Sequence, residues 1–156
     1  MTFFILSNHM TTLFLSLTLL TTLSFDSEIE SFLYGGAKED VFFKVTNNRK
    51  TLALKPTQRE RFSNLLVITK EGKYYFDLRY NEENPHQFVE VKDGVMNHAL
   101  KEKVSRDEFE ILEGKSSLLF INKLKSPVEI NGRQVKKRAY FSKGVPLIKN
   151  GVRILN

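Results

Sequence analysis

The chain has 156 residues, 41% of them hydrophobic, with thirteen Phe and five Tyr, which suffices for a packed core in one domain or two small ones. It has no cysteine, which excludes a disulfide scaffold, thiol catalysis and cysteine-ligated zinc. The net charge of +6 is unevenly spread: from Gly114 onward ten Lys/Arg stand against Glu129 alone, a local +9, leaving fourteen basic and seventeen acidic residues elsewhere, and this asymmetry bears on partners more than on fold.

No charged residue precedes Asp26, and the stretch Thr11–Phe25 (TTLFLSLTLLTTLSF) is apolar or hydroxylic throughout. The run is shorter than the roughly 20 residues a membrane-spanning helix needs. It fits the apolar region of a signal peptide, with Thr22 and Ser24 as small residues around a cut after Ser24. The expected n-region Lys or Arg is missing, and only His9 could supply charge there. Residues 1–24 are therefore expected to be an export leader, and the protein periplasmic or otherwise in the cell envelope, where disulfides are permitted but not required. The other readings of this run are a buried strand or a disordered tail.

Ile29–Tyr34 reads as a strand ending at Gly35-Gly36, and Asp40–Thr46 as a second with Val41, Phe43 and Val45 alternating against Phe42 and Lys44. Asn47-Asn48 turns the chain into Thr51–Lys55, which Pro56 closes because it donates no ladder bond. Ser63–Thr69 then leads through Lys70-Glu71-Gly72 into Lys73–Tyr80, a hairpin whose Gly accepts positive φ. Leu66, Ile68, Tyr74, Phe76 and Leu78 are the expected core of this hairpin. Gln87–Val91 is a further strand after the acidic loop 81–86, and Asp93-Gly94 a turn.

The sequence L-x-L-K-P at 52–56, a basic linker, then S-N-L-L-V-I-T at 63–69 and K-Y-Y-F-D-L at 73–78, resembles the periplasmic core-complex subunit of conjugative type IV secretion systems, the TraK-like or VirB-nine-like family. The positions matching the family's Asn-Leu pair and Tyr-x-Phe are Asn64, Leu65, Tyr74 (or Tyr75) and Phe76, with a weaker echo at Tyr140–Ile154. The resemblance covers residues 30–92 and implies a β-sandwich domain and no catalysis. It implies a structural component that forms rings with other secretion-apparatus subunits, a homo-oligomer in an assembly linked to the outer membrane through its partners. Family members usually carry a separate C-terminal domain that contacts a lipoprotein, and the segment 114–156 is short for that role.

One helix is expected beyond this. Ser105 and Glu108 form a capping box, Val104 and Phe109 a hydrophobic staple, and Gly114 a stop, giving a short linking helix over 104–113. Strands at Ser117–Ile121 and Arg138–Phe141 and two Asn-Gly turns, Asn131-Gly132 and Asn150-Gly151, follow. The fold class is all-β, with antiparallel sandwich-like modules and that one helix near 105–113. The expected division is a leader at 1–24, a sandwich module at 25–103, the helix, and a small basic module at 114–156, separate or part of the same domain.

Chemistry is sparse in this pattern. His9, His86 and His98 lack the spacing of a metal site and read as loop histidines, so no metal and no cofactor is expected. Asp77 beside Arg79 reads as an ion pair and not as an acid/base group. Asn81–Glu83 lacks the spaced oxygens of a calcium loop. The glycines form no phosphate cradle, and no catalytic residue is assigned. The candidate partner- or anion-binding residues are Arg133, Lys136, Lys137, Arg138, Tyr140 and Lys143. Cations interleaved with aromatics serve nucleic acid, lipid head groups or an acidic protein face, and a solvated strand edge explains them as well.

Overall fold

The computed structural model describes residues 1–6, 9–60, 62–94 and 100–155. All regular structure in them is strand: β1 (Thr2–Leu6), β2 (Met10–Leu15), β3 (Thr21–Phe25), β4 (Ile29–Tyr34), β5 (Val41–Val45), β6 (Thr51–Pro56), β7 (Asn64–Thr69), β8 (Lys73–Tyr80) and β9 (Phe88–Gly94). Then come β10 (Lys101–Ser105), β11 (Phe109–Glu113), β12 (Ser117–Asn122), β13 (Val128–Ile130), β14 (Arg133–Val135), β15 (Arg138–Ser142), β16 (Leu147–Lys149) and β17 (Val152–Leu155). The chain forms two compact units, one of Met1–Thr2 and Ser7–Lys92, the other of Phe3–Leu6 and Asp93–Asn156.

The first unit is a sandwich of two sheets. One has the order β9-β3-β6-β5, the other β2-β8-β7-β4. Alternation along each strand sends one set of side chains inward. Leu23, Leu52, Leu54, Val89 and Val91 come from the first sheet and Leu13, Leu65, Val67, Phe76 and Leu78 from the second, all buried. Phe25 and Tyr74 meet with ring centroids 5.2 Å apart. The hairpin β7–β8 pairs Leu65 with Phe76 and Val67 with Tyr74. This register corrects the expected core: Leu65 and Val67 lie inside, while Leu66 and Ile68 are half-buried on the outer face. Tyr74, Phe76 and Leu78 are buried.

The segment read as a leader forms strands here. β3 lies between β9, parallel to it, and β6, antiparallel to it. β2 runs parallel to β8, matching Leu13 to Leu78. Phe3, Leu13, Leu15 and Leu23 are all 0% exposed. Leu17 N and Thr18 Oγ1 both donate to the Glu82 carboxylate, which ties the turn after β2 to the loop after β8. Removal of residues 1–24 takes away β1, β2 and most of β3, so a chain processed after Ser24 does not keep this fold.

The second unit has two four-stranded sheets, β10-β11-β12-β15 and β14-β13-β16-β17. They enclose Phe109, Ile111, Leu118, Phe120, Ile130 and Leu147. The helix expected at 104–113 is instead the β10–β11 hairpin, with Arg106 N donating to Phe109 O at 2.8 Å across its turn. Phe109 and Ile111 are both buried and two apart, the strand period. Pairing with β12 on one side and β10 on the other outweighs a capping box over a segment too short to be a stable helix alone. The unit boundary accordingly falls at Lys92/Asp93 and not in a linker at 104–113. Both Asn-Gly turns form, with φ of 50° and 79° at Asn131-Gly132 and 48° and 81° at Asn150-Gly151.

Two outcomes follow for the N-terminal strands. A chain beginning at Phe25 loses the cooperative thermal transition of the first unit in circular dichroism. Leu23→Ala in the full chain lowers stability by about 2–5 kcal/mol in denaturant titration, the cost of a large buried side chain replaced by a methyl.

Candidate functional site

Several of the residues that could carry acid, base or metal chemistry hold the architecture together. His86 is buried and not a solvated loop histidine. Its Nδ1 accepts the Phe14 amide at 3.0 Å, its own amide donates to Phe14 O at 2.9 Å, and its ring packs 5.3 Å from that of Phe14. His98 lies outside the described residues. Arg79 Nε and Asp77 Oδ2 form an ion pair at 2.7 Å on one strand. Asn81 Oδ1 accepts the Asn84 amide at 3.0 Å, closing a local turn. Hydrogen bonds from the Thr18 and Tyr80 hydroxyls hold Glu82 below the ordinary carboxylate range. Among the described residues, no three His, Asp or Glu side chains converge as a metal site.

The first unit offers a different feature on one side. β4 ends its sheet and β5 ends the other. Gly35 N donates to Asn64 O at 2.9 Å and Thr46 N to Thr51 O at 2.9 Å, which fixes the phase of both ladders. By antiparallel alternation, the peptide groups of Phe32 and Tyr34 on β4 and of Phe43 and Val45 on β5 point away from their partner strands. Phe43 packs against Phe32 and Tyr34, at centroid distances of 5.1 and 5.4 Å, and so bridges the two edges. A cavity of about 500 Å³ opens there, lined by Phe32, Tyr34, Lys38, Phe42 and Phe43 among others. Leu33 and Phe42 project outward, 62% and 56% exposed. From Leu33 an apolar row crosses its sheet through Leu66 and Tyr75 to Met10.

The second unit divides the predicted basic set. Lys143 is neutralised by Glu113 at 3.0 Å, and the Arg133 guanidinium sits 5.3 Å from the centroid of the Phe141 ring. Tyr140 is half-buried on β15. Lys136, Lys137 and Arg138 are exposed and, among the described residues, have no ion-pair partner. The structure holds the loop that carries Lys123 and Lys125, two cations not among the predicted site residues, against the loop that carries Lys136 and Lys137. The agent is Asn122, 8% exposed. Its Nδ2 lies 2.9 Å from Ser126 O, 3.2 Å from Val135 O and 3.0 Å from Lys136 O, while Oδ1 accepts the Leu124 amide at 2.9 Å. Its backbone N donates to Lys137 O at 2.7 Å. One carboxamide thus clamps the loop 122–127 to the loop 135–138. Lys123 Nζ turns to Arg106 O at 3.0 Å. Glu113, hydrogen-bonded first by Lys103 and also by Lys143, is held below the ordinary carboxylate range.

No protein-family model matches this sequence, and no curated protein matches it either.

Asn122→Ala removes an acceptor and donors from buried backbone partners and lowers the stability of the second unit by about 1–3 kcal/mol, read from its thermal transition. The Glu113 pairing gives a pH signature. Because its pKa is depressed in the folded chain, its contribution is complete above the ordinary Glu range and is lost as pH falls through the folded value. Glu113→Gln lowers stability at neutral pH by about 0.2–1 kcal/mol, the scale of a partly exposed ion pair, and flattens the acid limb of the stability profile.

Proposed function

We propose that this chain is a non-catalytic assembly subunit that joins copies of itself and neighbouring proteins through strand edges. Its proposed setting is the cell-envelope core of a conjugative or type IV secretion apparatus, the family its hairpin resembles. The observation that carries the assembly reading is the pair of open edges β4 and β5 on one side of the first unit, with exposed Leu33 and Phe42 beside them. Edge strands in monomeric proteins are usually guarded by lysines, prolines or bulges. Here Ser31–Tyr34 contains no charge and no proline, β5 carries Lys44 alone, and the bulge of β4 lies at its far end, between Ile29 and Ser31. An added strand gains ladder hydrogen bonds from the backbone and pockets from alternate side chains. In this setting residues 1–25 stay with the protein, since they carry strands of both units. A second reading, a binding module for an anionic partner, draws on the exposed Lys136, Lys137 and Arg138.

The test is affinity purification of the tagged full chain from envelope fractions of its native cell, with sedimentation velocity on the purified protein. The reading expects multimers of this chain together with other apparatus subunits, and at least a tenfold weaker self-association in Leu33→Lys/Phe42→Lys, on the order of the loss of two apolar contacts. A chain that stays monomeric at high concentration and brings down no apparatus subunit contradicts it.

A further inference from the structure

We propose that the two clamped loops of the second unit form a docking surface for an anionic lipid bilayer, with Leu124 as its apolar tip. Every residue from Lys123 to Pro127 is exposed, and Leu124 stands between Lys123 and Lys125 with 39% of its surface accessible. Lys136, Lys137 and Arg138 join them through the Asn122 clamp, which holds the two loops as one surface. Desolvating a cation beside a neutral surface is unfavourable, whereas lipid phosphates supply its counter-charge. A leucine beside Lys125 matches the boundary between head groups and acyl chains, where it enters the apolar layer while the lysine stem reaches back to phosphates.

Two other anionic partners fit less well. Single-stranded nucleic acid is held by base stacking as well as phosphate contacts. The loops 122–127 and 135–138 contain no aromatic residue, and Tyr140 is half-buried in its strand. An acidic protein face matches the cations but gives Leu124 no apolar layer to enter. This surface belongs to the second unit and does not depend on edges β4 and β5 of the first.

The chain has no tryptophan, so Leu124→Trp in the full chain places a single fluorescent reporter at the tip. The titrants are vesicles of phosphatidylcholine with phosphatidylglycerol, vesicles of phosphatidylcholine alone, and a single-stranded oligonucleotide. The proposal expects a blue shift of emission on the phosphatidylglycerol vesicles only, weakened by salt. Each cation at an anionic bilayer strengthens partition about fivefold, so adding Lys125→Glu/Lys136→Glu/Lys137→Glu raises the lipid needed at least about a hundredfold. Flotation of the unsubstituted chain with the same vesicles gives the same ranking without the reporter. A chain that does not float with phosphatidylglycerol vesicles overturns the proposal. So does equal binding to phosphatidylcholine alone, or binding to the oligonucleotide without a blue shift on vesicles.

Discussion

Leu23 marks the constraint on which the first unit depends. The strand that carries it lies between β9 and β6, and those two have no other bridge across the sheet. Parallel pairing on one side and antiparallel pairing on the other place Leu23 beside Val89 and Leu52, all of them sealed from solvent. The chain has no disulfide, and helices are absent among its described residues, so strand pairing and the packing of one sheet on the other hold these strands. The order of the sheet, and with it the position of β5 at its rim, follows from that central insertion.

Edges carry the functional argument because several titratable side chains are engaged in holding the fold. His86 spends one ring nitrogen on the Phe14 amide, Asp77 neutralises Arg79, and Glu82 collects donors from Thr18, Tyr80 and Leu17. Each of these three side chains fixes a loop or a strand. What faces solvent is instead unpaired backbone on β4 and β5, an apolar row ending at Leu33, and a cationic loop surface organised by one buried amide. These are recognition features, one suited to backbone pairing and the other to a charged surface.

Most strands were legible in the sequence because their turns require particular residues. Asn131-Gly132 and Asn150-Gly151 adopt positive φ at both positions, which few other pairs tolerate. The run Leu65-Leu66-Val67-Ile68 is apolar at every position, so its inward face was undecidable until pairing with β8 put Leu65 opposite Phe76. Thr11–Phe25 shows the same ambiguity on a larger scale. A leader's apolar region and strands paired in parallel within a core both read as uncharged hydrophobic text. The 104–113 segment satisfied a local helix rule, and long-range pairing overrode it. Lys123 and Lys125 count in the basic segment but fall outside the expected binding set, because the link of their loop to Lys136 runs through Asn122, a contact that local spacing does not reveal.

The central claim, that β4 and β5 are completed by strands from outside the folded chain, is most directly read by hydrogen–deuterium exchange at single-residue resolution across a concentration series. In dilute protein the amides of Leu33 and Phe42, bonded within their sheets, exchange slowly, and those of Phe32, Tyr34, Phe43 and Val45 exchange fast. The account predicts that this second group becomes protected as the protein assembles. Fast exchange of all four in a fully assembled sample would contradict it.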